Sequence, residues 1–156
     1  VAMGFPGIED EHLNLNYLGR LIDECDQWGL PVMAEMLPRG FEGGDDSRSA
    51  ENMQKVLRIG AEMGVDLLKT QFTGDVKDFK AATESTFVPV VVLGGSKVKD
   101  DRAVLQMVHD SISAGGRGVA MGRNIWGHKK PEKMTAAIVA IVHEDASVDD
   151  AVSMLK

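Results

Sequence analysis

Five short apolar runs punctuate the chain: Val1–Gly4, Pro31–Leu37, Val65–Gln71, Pro89–Gly95 and Gly118–Asn124. Their starts are separated by 30, 34, 24 and 29 residues, the length of one strand-plus-helix unit. Most lack the polar alternation of a half-solvated strand, so they read as strands of a parallel sheet covered on both faces. Helical periodicity fills the intervals. Leu13–Trp28 places Leu18, Leu21, Ile22 and Cys25 on one side and stops at Gly29. Ser49–Met63 does the same with Met53, Val56, Leu57, Ile59 and Gly60 before Gly64, a C-terminal breaker. Asp100–Ala114 carries Val104, Leu105, Val108 and Ile112, and Val76–Thr83 is a shorter, weaker helix. Pro131, suited to a helix N-terminus, precedes a helix over Met134–Val142, and Val148–Leu155 forms a last short one.

The predicted order is therefore β-(αβ)4-α, an α/β chain without linker or low-complexity segment. The longer polar, Gly-rich stretch Phe41–Arg48 follows a strand and so falls on the C-terminal face, where α/β proteins place their chemistry. Two architectures share this string: an open, doubly wound five-stranded sheet, or five consecutive units of an eight-fold barrel.

Composition narrows the partners. The 156 residues carry 17 Lys+Arg against 24 Asp+Glu, a net charge of −7. That balance argues against nucleic acid or an anionic membrane as partner. One cysteine, Cys25, cannot form an intramolecular disulfide, which fits a reducing cytoplasm. No apolar run approaches the roughly 18 residues of a membrane span, and the chain opens on no secretory pattern.

Lys69 is the sharpest chemical feature. It interrupts an apolar strand beside Leu67 and Leu68, where an unpaired ammonium is costly. Desolvation favours the neutral amine, a nucleophile toward carbonyls; the alternative is a strand-end lysine that reaches solvent or pairs with a carboxylate such as Asp66. Glu35 shares a strand face with Met33 and Leu37 and needs a cation, which Lys69 on the adjacent strand could supply. That pair could also be purely structural. Two strand-end glycine turns follow, Gly94-Gly95-Ser96-Lys97 and Gly122-Arg123-Asn124. Glycines let backbone amides approach a phosphate, and Lys97 and Arg123 add counter-charge; singly, such turns merely close βα loops. Arg39 could clamp a substrate anion or stand in solvent. His12, His109, His128 and His143 are scattered without ligand spacing, so no metal and no cofactor is assigned.

In order and spacing, the segments GLPVMAEMLPRG, GVDLLKTQFTGD, VVVLGGSK, GRGVAMGRNIWGH and IVHEDASVDDA resemble the archaeal-type class I fructose-bisphosphate aldolases. That family lies within the deoxyribose-phosphate aldolase-like superfamily, beside the aminodideoxyheptulosonate synthases and the autoinducer-2 thiolases. The resemblance covers nearly the whole chain. It implies a (β/α)8 TIM barrel and a metal-independent Schiff-base lysine on strand six, which falls on Lys69. It further implies a substrate phosphate held by Gly94, Gly95, Ser96, Lys97, Gly122 and Arg123, and an orienting arginine at Arg39. The implied activity is reversible C–C cleavage of a phosphorylated ketose such as fructose 1,6-bisphosphate. Transaldol-type heptulosonate synthesis and thiolysis of an autoinducer phosphate are the alternatives within the family, and a non-catalytic phosphosugar-binding subunit is the alternative outside it.

Two departures qualify the carry-over. The aldolases and heptulosonate synthases usually have a proton-transferring tyrosine before PRG, where this chain has Leu37, and Glu35 is the candidate acid/base in its stead. Their strand-one aspartate also has no counterpart here, because Val1–Gly4 aligns with strand four. Residues 1–156 are accordingly read as the C-terminal part of one barrel domain, strands four to eight, or roughly five-eighths of a barrel of about 250 residues. Exposed sheet edges at Val1–Gly4 and Gly118–Asn124 make a homo-oligomer, or dependence on an N-terminal half, the expectation.

Overall fold

The computed structural model describes residues 1–156, apart from the side chain of Asp45. Five strands, β1 (Ala2–Gly4), β2 (Met33–Met36), β3 (Leu67–Thr70), β4 (Val90–Leu93) and β5 (Gly118–Ala120), form one sheet in the order β1-β2-β3-β4-β5. Every neighbouring pair is parallel. A doubly wound sheet reverses direction at a switch point, and this one does not. The strands advance one place per βα unit, as in a barrel, and the five make up part of one. That order decides between the two architectures that shared the sequence pattern.

The helices are α1 (Glu11–Gln27), α2 (Ala50–Glu62), α3 (Val76–Glu84), α4 (Asp101–Ser113), α5 (Arg123–Trp126), α6 (Pro131–Glu144) and α7 (Val148–Met154). Local chemistry sets their starts. Ser49 Oγ accepts from the Asn52 N–H, Asp75 Oδ1 from Asp78, and Ser147 Oγ from Asp150, each satisfying a donor the first turn leaves open. Pro131 occupies the first turn of α6.

Strand pleating sorts the sheet into two unlike faces. Ala2, Ala34, Leu68 and Val90 stand in register across β1–β4 and are buried with Leu18, Met53, Leu57 and Phe79 of α1–α3. A second cluster joins Leu105 and Val108 of α4 to Met134, Ile138 and Ile141 of α6 and Val148 of α7. The opposite face carries the row Met3, Glu35, Lys69, Val91 and Gly118. Met3 there is 38% exposed, and Lys69 and Val91 are half-buried. The expected two-sided cover is therefore corrected: the buried cores lie on the helix side. The apolar runs hid this because the second face carries Met33, Leu67 and Val91, whose hydrophobicity suits the inside of a barrel.

Two boundaries also differ from the pattern. The run Gly118–Asn124 leaves the sheet after Ala120 and turns into α5, so Asn124 is helical. The polar stretch Phe41–Arg48 is not plain loop, since 3-10 turns cover Gly40–Glu42 and Asp45–Arg48.

The core predicts its own test. Phe79 is fully buried and packs edge-on to Phe72 at 5.3 Å between ring centroids, while Phe87 is 84% exposed. Phe79→Ala is expected to cost about 3–5 kcal/mol and Phe87→Ala no more than about 0.5 kcal/mol, as read from urea unfolding.

Candidate active site

The register of β2 on β3 sets Glu35 directly opposite Lys69 on the face away from the helices. Lys69 Nζ lies 2.5 Å from Glu35 Oε2, with the two side chains only 18% and 10% exposed. The next residue along β3, Thr70, is fully buried and donates its hydroxyl to the Met36 carbonyl at 2.8 Å. This bond pins β3 to β2 one residue beyond the ion pair. Asp66, the other carboxylate the sequence offered to Lys69, accepts instead from the Val32 N–H at 2.7 Å.

A cavity of about 580 Å³ opens at the C-terminal ends of the strands. Glu35 lines it, as do Gly94, Gly95, Ser96 and Arg123 from the two glycine turns. Lys69 is not part of its wall and meets the cavity through Glu35. Leu37, standing where a tyrosine was expected, is 2% exposed and presents only methyl groups to the cavity. Phe72, Leu93, Val104 and Met107 supply apolar parts of the wall.

Backbone geometry explains why these turns hold glycine. Gly95 adopts φ +61°, in the left-handed region. A Cβ on Gly94 would come within 2.4 Å of Met121 Cβ, so the ends of β4 and β5 approach only because it has none. Gly122 is not part of the wall; a Cβ there would meet the far edge of the exposed Trp126 ring at 2.3 Å, so that ring would have to shift.

Besides Lys69, which meets the cavity through Glu35, three of the residues assigned from sequence stand outside its wall. Arg39 has φ 57° and pairs with Asp46 at 3.0 Å in solvent. Lys97 turns away to donate to the Gly127 carbonyl. Gly122 packs against Trp126. The N-terminus of α4 is capped by its own Asp100 carboxylate, which accepts from the Arg102 N–H at 3.0 Å. Two residues not singled out from sequence do line the cavity: Arg48, from the second 3-10 turn, and Asn124. Arg48 could have been found as the cation closing the Gly-rich stretch; Asn124 followed Arg123 in the motif but looked like strand. His128 bonds Asp101 at 3.1 Å, and among the described residues no group of three His, Cys, Asp or Glu is placed to hold a metal ion.

A family model described as DeoC/LacD family aldolase matches residues 1–128. The chain belongs to this family. It is 31% identical over 156 residues to an uncharacterized aldolase of Saccharolobus solfataricus, covering all of this chain and 57% of that protein. It is 35% identical over 147 residues to the 2-amino-3,7-dideoxy-D-threo-hept-6-ulosonate synthase of Halobacterium salinarum, covering 94% of this chain and 54% of the synthase. Among solved structures, it superposes with a TM-score of 0.83 at 30% identity on an archaeal fructose-1,6-bisphosphate aldolase whose catalytic lysine is covalently bound to the carbinolamine intermediate of its substrate. That match covers 90% of this chain and 56% of the other. The chain thus spans about half the length of the curated relatives it matches.

A half-buried ion pair predicts coupling. Removing either partner strands the other charge, whereas removing both leaves none. Lys69→Met and Glu35→Gln are each expected to destabilise the fold, and the double variant to be more stable than the sum of the singles implies. A coupling energy of about 1 kcal/mol or more from a double-mutant cycle in urea checks this.

Proposed function

We propose that this protein acts as a Schiff-base aldolase on a phosphorylated ketose, with residues 1–156 supplying the C-terminal part of one barrel domain. The observation that carries the reading is the Lys69–Glu35 pair set on the sheet face beside a cavity bordered by Gly94, Gly95, Ser96 and Arg123. The archaeal aldolase with a substrate-bound lysine supports it by likeness of fold and sequence.

In this reading Glu35 accepts a proton from the Lys69 ammonium, and the free amine attacks the ketone carbon. The resulting carbinolamine loses water to give an iminium. When the bond between C3 and C4 of the ketose breaks, its electron pair flows into the iminium and leaves an enamine, while the C4 hydroxyl gives up its proton and departs as an aldehyde. Protonation of the enamine carbon and hydrolysis of the iminium release the ketone fragment and restore the amine. Glu35 is within hydrogen-bond reach of Lys69 Nζ, and Leu37 has no proton to move. Proton transfer at the lysine therefore falls to Glu35. The phosphate lies against the Gly94–Ser96 turn, where Arg123 supplies the charge.

Leu37 also favours a second reading, transaldol exchange of the kind named for the heptulosonate synthase relative. A site without the tyrosine can release the enamine to a second carbonyl acceptor rather than to a proton. Product analysis with fructose 1,6-bisphosphate alone, compared with an added acceptor, separates the two: the first reading expects triose phosphates in both cases.

Borohydride reduction of the full-length protein with dihydroxyacetone phosphate is expected to add the mass of the reduced ketone at Lys69, and Lys69→Met to abolish the adduct. Glu35→Gln is expected to lower turnover by roughly 100-fold or more. Unchanged turnover in that variant removes Glu35 from the mechanism, and an unlabelled Lys69 ends the Schiff-base reading.

A further inference from the structure

Asn124 is 4% exposed, and its side-chain amide is spent almost entirely on the neighbouring loop. Nδ2 donates to the Gly94 carbonyl at 2.6 Å and to the Ser96 carbonyl at 3.2 Å, while Oδ1 accepts from the Val98 N–H at 2.8 Å. One planar group from the β5–α5 turn thus grips three backbone groups of the β4–α4 loop, on both sides of Gly95.

The consequence follows from peptide planarity. In a trans peptide the carbonyl of one residue and the N–H of the next point in opposite directions. With the Gly94 and Ser96 carbonyls held on Asn124, the N–H groups of Gly95 and Lys97 are turned away from it. Among the described residues, no hydrogen bond of this loop uses either as a donor. Gly95 and Ser96 border the cavity, and Arg123, beside Asn124 in the chain, lines it too. A glycine turn held open in this way beside a guanidinium suits an anion, since successive backbone amides and a cation border one cavity.

We infer that Asn124 is the positioning residue of this concavity: it fixes the loop so that backbone amides face a phosphate monoester. The inference rests on the phosphate-binding half of the proposed function. Asn124 contributes geometry rather than charge, and its role is separable from that of Lys69. Lys97, which the sequence offered as a phosphate ligand, ties the same β4–α4 loop to the C-terminal end of α5 through Gly127.

Two variants test it. Asn124→Asp keeps the shape but sets an acceptor against two carbonyls, and Asn124→Ala removes the clamp while leaving room for water to satisfy them. Inorganic phosphate binding by the full-length protein is measured by calorimetry. Borohydride labelling of Lys69 is measured in parallel with dihydroxyacetone, a ketone without phosphate. Both variants are expected to weaken phosphate at least tenfold while changing the dihydroxyacetone label less than twofold. Thermal unfolding establishes that each variant is folded, and Asn124→Ala decides the matter if Asn124→Asp is not. Phosphate affinity within twofold of wild type in Asn124→Ala overturns the inference, as does a matching loss of phosphate binding and label, the mark of a merely structural role. Wild-type protein that fails to bind phosphate overturns the phosphate site and this inference with it. Wild-type protein that binds phosphate without labelling overturns only the role of Lys69.

Discussion

The arrangement depends on the parallel register that sets Glu35 against Lys69. A lysine in the middle of a five-stranded sheet has few places to put its charge, and desolvation makes an unpaired ammonium there costly. The register answers this with a carboxylate from the adjacent strand. Shifting either strand by one residue would send its side chain to the helix side, into a core of Ala34, Met36 and Leu68. The same hydrophobic packing that buries those residues therefore holds the two charges on the other face. Thr70 reinforces the register from within that core by bonding the Met36 carbonyl.

A second constraint acts at the strand ends, where the β4–α4 loop and the start of α4 are tied by side chains, rather than by a ladder, to α5 and the residues just after it. Asn124 bonds Gly94, Ser96 and Val98, Lys97 bonds Gly127, and His128 bonds Asp101. Close approach of Gly94 to Met121 makes room for this. Lys97 is drawn into such a joint, while Arg123 and Arg48 line the cavity wall. The chain belongs to the DeoC/LacD aldolase family and is similar in fold to an aldolase with a substrate-bound lysine. Leu37 adds an apolar side chain to the cavity wall two residues beyond Glu35 of the Glu35–Lys69 pair.

Much of the element order was legible because it follows from local physics. Apolar runs at βα spacing, Gly29 and Gly64 as helix stops, and Pro131 at a helix start are statements about near neighbours in the chain. Lys69 stood out for the same reason, since a cation in an apolar strand is anomalous without reference to anything distant. The end of β5 was misread because Gly118–Asn124 reads as one run, yet the chain leaves the sheet once Asn124 finds partners some thirty residues upstream. The open second face was misread because a barrel interior and a helix-covered surface ask for the same hydrophobic residues.

The sequence by itself determined the αβ rhythm, the chemically anomalous lysine, the glycine turns and the family resemblance, all of which are carried by spacing and residue type. Only the tertiary structure decided the strand order without reversal, the partner of Lys69 and the division of cations between cavity and surface. Arg39 and Lys97 are both cations that the sequence offered to a substrate anion. What fixes their place is which carboxylate or carbonyl lies within reach after folding: Asp46 for Arg39 and Gly127 for Lys97. Such contacts join positions from different loops, and their geometry exists only once the sheet has set the loops side by side.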